Sequence, residues 1–186
     1  AAGPIDHVFT GCYRRSALIA AGGFDERLLA NEDFELDTRL LERGGTLWLH
    51  PEARSTWHVR DSVPALAKQM FRYGYYKALT LRLHPRSLKL RQLLPPLLVL
   101  GLVGAARYRP QWGGFMLAGY LALAGGCGAR VAAADDASPW RGAVIPPAVH
   151  LMWAGGLLAG LVRFARPPLP PAPAMPEEAR HGQWPE

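Results

Sequence analysis

The sequence predicts an α/β segment followed by a basic amphipathic helix and two or three membrane-spanning helices. Three observations predict this fold class. Residues 1–61 mix short β-like runs with helix patterns, residues 62–92 carry seven basic residues and no acidic one, and the apolar residues after Leu93 form long blocks. In a chain of 186 residues, 49% of them hydrophobic, this uneven distribution indicates a water-soluble part joined to a membrane part.

Residues 1–61 supply the predicted α/β segment. Ser16, followed by "ALIAA" and Gly22, predicts a short helix with a serine N-cap and a glycine stop. Asn31 is the expected N-cap of a second helix, in which acidic residues meet the positive end of the helix dipole. Three runs have the residue types of short strands: "VFTGCY" (8–13), "TLWLHP" (46–51) and "RSTWHV" (54–59).

The second predicted helix gathers four acidic residues in a chain of formal net charge +6. At about 100° per residue, Glu32 and Glu35 fall on a polar, solvent-facing arc, where Glu35 meets Arg39 at ion-pair spacing. Asp33 and Asp37 fall on the apolar side instead. Such carboxylates act as caps and buried hydrogen-bond acceptors, or as a general base, since partial burial favours proton uptake from a hydroxyl group. The residues alone leave both roles open.

Residues 62–92 form the basic stretch. Ser62 and Pro64 predict the start of a helix there, and Pro85 predicts its end. Basic residues interleaved with aromatic ones also occur in nucleic-acid-binding proteins, but directly before apolar blocks they favour an interfacial helix on an anionic lipid surface. We therefore expect a membrane partner and no nucleic acid. A solvated surface helix with a few rings in the core is the remaining alternative.

Residues 93–166 contain the apolar blocks, at about 93–106, 112–129 and 143–162. The first would be roughly 21 Å long as a helix, short of a hydrocarbon core of about 30 Å, and is therefore a tilted partner helix or a re-entrant segment. The other two approach spanning length, with tryptophans available as interface anchors. A soluble bundle of very apolar helices is the alternative. Residues 167–186 are proline-rich and predicted to be disordered.

Charge and cysteine content predict the location of the chain. The basic stretch before the first block predicts a multi-pass protein of the inner (plasma) membrane with residues 1–61 in the cytoplasm, although basic residues near the later blocks leave the remaining topology open. Cys12 and Cys127 do not form a disulfide framework, which fits a reducing compartment. The absence of an initiator methionine and of a signal-peptide pattern leads us to expect a piece of a longer protein.

Two stretches resemble a known family. The segments "GCYRRSALIAAGGFDERLLANEDFELDTRLLERGGTLWLHPEARSTW" (11–57) and "QMFRYGYYKA" (69–78), followed by membrane helices, resemble the C-terminal half of family 2 inverting glycosyltransferases. The likeness is greatest to the membrane-attached subgroup that builds exopolysaccharide of the succinoglycan type. It runs from Val8 to the first apolar block, about half of the chain. It implies that residues 1–61 are the acceptor-side part of a GT-A, Rossmann-like domain.

The resemblance also implies roles for individual residues. In the family an "ED" pair opens a helix beneath the acceptor site and its Asp is the general base, a role that falls here on Asp33 with Glu32 as its motif partner. His58 is the candidate metal ligand, with a surface histidine as the alternative. The residues expected to line the acceptor side are Gly11, Arg14, Gly23, Asp25, Gln69, Arg72 and Tyr73. The last three match a Q-x-x-R-W signature in which Tyr73 replaces the tryptophan.

The activity implied by the resemblance is transfer of a sugar from a nucleotide-sugar to a lipid-linked or polysaccharide acceptor, in bacterial exopolysaccharide or cell-envelope glycan synthesis. A divalent metal, Mg or Mn, is expected for the complete enzyme. The family's nucleotide-binding half and its D-x-D metal motif have no counterpart in this sequence, so the chain alone should have little donor affinity and be inactive.

A membrane scaffold is the alternative function. In that case a truncated, non-catalytic chain would organise a polysaccharide assembly complex. An in-frame upstream extension with strand and helix repeats ending in D-x-D would favour the enzyme, whereas a genuine start codon at residue 1 would favour the scaffold.

Overall fold

The computed structural model describes residues 2–8, 10–56 and 58–165, so the predicted disorder of residues 167–186 lies outside the described residues. The described chain divides into two compact units. The first contains the residues up to His58, the segment Leu79–Ser87 and the residues from Phe164 onward. The second contains Val59–Ala78 and Leu88–Arg163.

The first unit is a small α/β assembly. Strand β1 (Gly3–Ile5) pairs antiparallel with β2 (Leu47–Leu49), with Pro4 opposite Trp48. Helices α1 (Arg15–Ala21) and α2 (Glu32–Glu42) lie between the strands in sequence. The core of this unit forms between the two helices, where Ala21, Leu36 and Leu40 pack with Tyr13, Ala17 and Leu18. The α/β character is therefore confirmed in a minimal form, while the complete GT-A fold stays a prediction.

Only one predicted strand run forms a strand among the described residues. Strand β2 lies in "TLWLHP", whereas the predictions for "VFTGCY" and "RSTWHV" were wrong at their described positions. In the first run Thr10 has φ 57°, a left-handed conformation that interrupts extended backbone. The described residues of the second run are exposed to solvent. Their side chains pack against no sheet, so packing does not stabilise a strand there. The sequence analysis missed β1.

The boundaries of α1 and α2 lie at or within one residue of the sequence signals discussed above. Gly22 ends α1 at φ 86°, as expected for a glycine stop, but the helix begins at Arg15, so Ser16 lies inside the first turn. Asn31 precedes α2 as predicted. It does so in a left-handed conformation, φ 63°, and its side chain makes no capping hydrogen bond to the helix.

Two arginines of α2 complete the C-terminal end of α1. The last carbonyls of a helix have no partner within it and need donors from elsewhere. Arg39 donates to the carbonyl oxygen of Ala21 and, at 2.8 Å, to that of Gly23, while Arg43 donates to Ala20 at 3.0 Å. These bonds fasten α2 to the end of α1.

Helix α3 (Val63–Leu83) confirms the predicted helix in the basic stretch. It begins directly after Ser62, whose hydroxyl accepts a hydrogen bond from the Ala65 amide at 3.4 Å. The helix ends before Pro85, as predicted. Two short 3-10 turns follow, at Pro85–Ser87 and Leu90–Gln92.

The second unit also contains α4 (Leu94–Tyr108), α5 (Pro110–Ala134) and α6 (Pro139–Phe164). All three are long and apolar enough to cross a membrane, and the first reaches 19 residues when counted from Leu90. That length corrects the prediction of a first block too short to span. In their most apolar windows only 6%, 6% and 28% of the residues are buried, which is consistent with a membrane protein and disfavours a soluble bundle.

Helices α3 and α6 approach each other closely within the second unit. Gly74 lies against the backbone of Trp153, and Gly156 lies against the backbone of Phe71. Farther along both helices, Gly160 lies against Tyr75 and Ala78. Glycine permits this distance, since a Cβ at any of these three positions would clash with the facing backbone.

Candidate functional site

Helix α2 carries the candidate site, and its four acidic residues occupy different environments. Asp37 is fully buried and Glu35 is 2% exposed, whereas Glu32 and Asp33 in the first turn are partly exposed. Burial of a carboxylate is costly unless hydrogen bonds and opposite charges compensate for it. The partners of each carboxylate therefore show what it does.

Asp37 binds the segment that precedes α1. Its Oδ1 accepts from the Tyr13 hydroxyl at 2.8 Å, and its Oδ2 accepts from the Val8 amide at 2.8 Å and from His7 Nδ1 at 2.7 Å. Burial, the hydrogen bond to Asp37 and the charges of Asp37 and Asp33 raise the pKa of Tyr13 well above its usual value, so its hydroxyl remains a donor. The prediction that Asp37 faces inward is confirmed, and its role is that of a buried acceptor.

Glu35 was predicted to face solvent, and that prediction was wrong. The predicted ion pair with Arg39 does form, with Arg39 Nε at 2.9 Å from Oε1 and Nη2 at 2.7 Å from Oε2. His84 Nε2 adds a third bond, at 3.0 Å from Oε1. Although burial alone would raise the pKa of Glu35, the bonds and charges of His84 and Arg39 hold it below its usual range. These partners compensate for the cost of burying the Glu35 carboxylate. The helical periodicity did not predict that burial.

His84 is a functional candidate that the sequence analysis missed. It follows α3 directly, and its Nδ1 lies 2.7 Å from Glu42 Oε2 while its Nε2 binds Glu35. Its side chain is 11% exposed. The hydrogen bond to Glu35 raises the pKa of His84, burial opposes the change, and Glu42 raises it further. The only signal in the sequence was its place before Pro85 at a predicted helix end.

Asp33 lies in the first turn of α2 and is partly exposed. Its Oδ1 accepts a hydrogen bond from the Phe34 amide at 2.6 Å. The Phe34 ring contacts the His7 ring edge-on, with 5.3 Å between ring centroids. Asp33 thus lies beside the group of side chains that Asp37 holds, at the end of α2 where the backbone amides point outward. Glu32 adjoins it and is also partly exposed.

Asp25 and Gly23, two of the predicted acceptor-side residues, belong to the turn between the helices. Asp25 is 3% exposed and accepts from the Arg27 amide at 3.0 Å and from its Nε at 2.8 Å. Burial would raise the pKa of Asp25, but the bonds and charge of Arg27 hold it below its usual range. Gly23 has φ 73°, a conformation that glycine adopts without strain, and its carbonyl binds Arg39. Asp25 therefore closes the turn.

Gly11 and Arg14, the other two in this unit, lie near Tyr13. A Cβ at Gly11 would come within 2.8 Å of the Tyr13 hydroxyl oxygen. Glycine at this position therefore avoids a clash with the Tyr13 side chain where it reaches Asp37. Arg14 is exposed and lines a cavity of about 730 Å³ between α1 and β2. Arg43, Trp48 and Arg54 also line this cavity.

The predicted Q-x-x-R-Y residues belong to the second unit. Gln69 Nε2 donates to the Tyr73 hydroxyl at 2.8 Å, and Arg60 Nε donates to Gln69 Oε1 at 3.3 Å. Arg72 is exposed on the same helix. The structure therefore joins Gln69 and Tyr73 directly, one helical turn apart. Their predicted contact with an acceptor stays a prediction.

A metal role is not supported by the described residues. His58 is exposed. Across residues 2–8, 10–56 and 58–165, no group of three or more His, Cys, Asp or Glu side chains is placed to hold a metal ion. This part of the chain therefore does not fit a divalent metal by itself, and the metal expected for the complete enzyme stays a prediction.

Comparison with known proteins places these residues in context. The chain is 30% identical to the succinoglycan biosynthesis protein ExoA of Rhizobium meliloti (strain 1021) over 164 residues, which cover 87% of this chain and 49% of that protein. It is 34% identical over 59 residues to the dolichyl N-acetyl-alpha-D-glucosaminyl phosphate 3-beta-D-2,3-diacetamido-2,3-dideoxy-beta-D-glucuronosyltransferase of Methanococcus voltae. That alignment covers 32% of this chain and 18% of that protein.

The two relatives confirm the resemblance that the motifs predicted. Their names support a family 2-like glycosyltransferase of exopolysaccharide synthesis, at modest identity. The chain spans about half the length of the first relative and about a fifth of the second. No family model matches the chain, and no solved structure matches it.

Proposed function

We propose that this chain is the acceptor-side and catalytic-base part of a membrane-bound inverting glycosyltransferase. The complete enzyme transfers a sugar from a nucleotide-sugar to a lipid-linked or polysaccharide acceptor in bacterial exopolysaccharide or cell-envelope glycan synthesis. The relatives support this proposal, since one is named for succinoglycan biosynthesis and the other for glycosyl transfer. The three apolar helices support a site held at the membrane.

The observation that carries the proposal is the difference in burial and hydrogen-bond partners among the acidic residues of α2. Three donors occupy Asp37, and Arg39 and His84 hold Glu35 in a buried ion-pair network. Asp33 remains in the first turn, where a substrate can approach it. It is also the aspartate of the "ED" pair. Burial and bound partners set Glu35 and Asp37 apart, and the "ED" motif then selects Asp33 over Glu32, which is also partly exposed.

Asp33 acts as the general base in this proposal. It accepts the proton of the acceptor hydroxyl while the hydroxyl oxygen forms a bond to the anomeric carbon of the donor. The bond between that carbon and the diphosphate oxygen breaks, and its electron pair leaves with the nucleoside diphosphate. One displacement of this kind inverts the anomeric configuration. Glu32 supports Asp33 as its motif partner at the same helix end.

The products of the complete enzyme test the reaction class. Membranes containing the full-length protein would be supplied with a panel of nucleotide-sugars and a lipid-linked saccharide fraction, and the anomeric configuration of each product would be determined by NMR. We expect transfer from one donor with inverted configuration. A retained configuration would contradict a single displacement, and no transfer from any donor would favour the scaffold.

A further inference from the structure

His84 connects the end of α3 to helix α2 through two carboxylates. Its ring nitrogens reach Glu35 and Glu42, which are seven residues apart and therefore lie on the same face, two turns apart along α2. Glu35 is buried, while the Glu42 side chain is 47% exposed. One imidazole ring thus joins two carboxylates whose positions are about 10 Å apart along the helix that carries Asp33.

The geometry requires a protonated ring. An ionised carboxylate accepts hydrogen bonds and donates none, whereas a neutral imidazole has one donor nitrogen and one acceptor nitrogen. Both ring nitrogens of His84 face carboxylate oxygens, so both must carry protons. Arg39 is the other charged group on Glu35, where it binds both carboxylate oxygens. The raised pKa of His84 agrees with this cationic form.

The contacts continue from Glu35 toward the predicted acceptor side. Arg39, which Glu35 holds, donates to the carbonyls of Ala21 and Gly23 at the end of α1. Asp33 lies two residues before Glu35 on the same helix. A shift of α2 would displace Asp33 with it, and displacements of about 1 Å at a reacting group cost roughly 100-fold in rate.

We propose that His84, as an imidazolium, is a positioning residue that holds α2, and with it Asp33, in the geometry for proton transfer. This inference rests on the proposed function. It adds a dependence of the transfer reaction on a residue outside the "ED" and Q-x-x-R-Y motifs. It also makes the segment that follows α3 a determinant of the active-site geometry.

The sign of the pH dependence follows from the two shifts. Because the folded state raises the pKa of His84, its contribution to stability is complete below about pH 6.5 and is lost as the pH rises through the raised value. Glu35 has a lowered pKa, so its contribution is complete above about pH 4.5 and is lost as the pH falls through the lowered value. The network is therefore intact between these limits.

The first experiment reads the ionisation of His84 without any enzymatic activity. The full chain, labelled with ¹⁵N in its histidine rings, would be titrated by NMR in detergent micelles, with His84→Gln identifying the signal. We expect both ring nitrogens to be protonated at pH 6.5 and to lose one proton only at higher pH. A neutral ring at pH 6.5 would overturn the proposal.

The second experiment measures transfer by the complete enzyme as a function of pH. We expect His84→Gln to lower kcat about tenfold at pH 6.5, with KM changed less than twofold and without the decline at alkaline pH that we expect of the wild type. His84→Arg, which keeps the charge, should be at least about threefold more active than His84→Gln at pH 8.5. Arg86→Ala, an exposed basic residue two positions away, is the control and should behave as wild type.

Two results of the second experiment would count against the positioning role. A His84→Gln enzyme with wild-type kcat and pH profile would overturn it, as would an equal loss in His84→Gln and His84→Arg at every pH, which would indicate packing alone. Failure of the proposed function is distinguishable, because normal turnover of Asp33→Asn would remove the base assignment while the NMR titration still reported the charge of His84.

Discussion

At the residue scale, hydrogen-bond donors determine what each acidic side chain of α2 does. Asp37 and Glu35 are both almost without solvent contact, yet the first receives neutral and aromatic donors and the second receives cationic ones. Asp33, in the first turn of the same helix, is partly exposed. Four chemically similar residues thus divide into structural and candidate catalytic groups through their neighbours rather than through their spacing.

Substitution of Asp37 tests its structural role. Asp37→Asn keeps the shape but replaces one acceptor oxygen by an NH₂ group, which would face the Tyr13 hydroxyl in one orientation of the amide, or the Val8 amide and His7 Nδ1 in the other. We expect a loss of about 2 to 4 kcal/mol in the free energy of unfolding, because buried donors lose their partner. Denaturant unfolding of the chain in detergent micelles would measure it.

Glu26→Gln is the matched control for that substitution, since Glu26 is an exposed acid of the same unit. It should change the free energy of unfolding by less than about 0.5 kcal/mol. An Asp37→Asn variant as stable as this control would show that the three hydrogen bonds are dispensable.

At the element scale, helix signals in the sequence were more informative than strand signals. Gly22, Ser62 and Pro85 mark helix ends because capping and the loss of a backbone donor are local effects. Strand formation depends on pairing with another strand, which a local pattern does not reveal. The run at 8–13 has the residue types of a strand but not an extended backbone. Gly3–Ile5 lacks a strong strand pattern in its sequence and nevertheless pairs with β2. The network around His84 depends on residues 49 positions apart, which no local pattern reveals.

The seam between α3 and α6, where Gly74, Gly156 and Gly160 lie against the facing helix, can be tested with two adjacent glycines. A Cβ at Gly156 would clash with the backbone of Phe71, whereas a Cβ at Gly155 would meet nothing within 4 Å. We expect Gly156→Ala to destabilise the second unit by about 1 to 3 kcal/mol, because the helices must separate. Gly155→Ala should be neutral or slightly stabilising, since alanine favours helix. Thermal unfolding in micelles would measure both, and equal stability of the two variants would contradict the seam.

At the scale of the whole molecule, the close contact between α3 and α6 fixes which face of α3 is covered. If α6 spans the bilayer, the exposed basic residues of α3 need water or lipid headgroups on the side away from α6. The interfacial helix stays a prediction.

The predicted cytoplasmic location of the first unit can be tested with the two native cysteines. Both are free thiols, Cys12 in the first unit and Cys127 within α5. In a Cys127→Ala variant we expect a membrane-impermeant maleimide to label Cys12 in inside-out vesicles and not in right-side-out vesicles. A Cys12→Ala variant should be unlabelled in both until detergent is added. Labelling of Cys12 in right-side-out vesicles would place this unit outside.

The most direct test of the account is the turnover of the complete enzyme with Asp33→Asn. The amide keeps the shape of the side chain but cannot accept the hydroxyl proton, so we expect kcat to fall at least about 100-fold. Melting temperature and membrane association should match those of Glu52→Gln, an exposed acid of the same unit used as the control. Turnover of Asp33→Asn within about twofold of the wild type would contradict the assignment of Asp33 as the catalytic base.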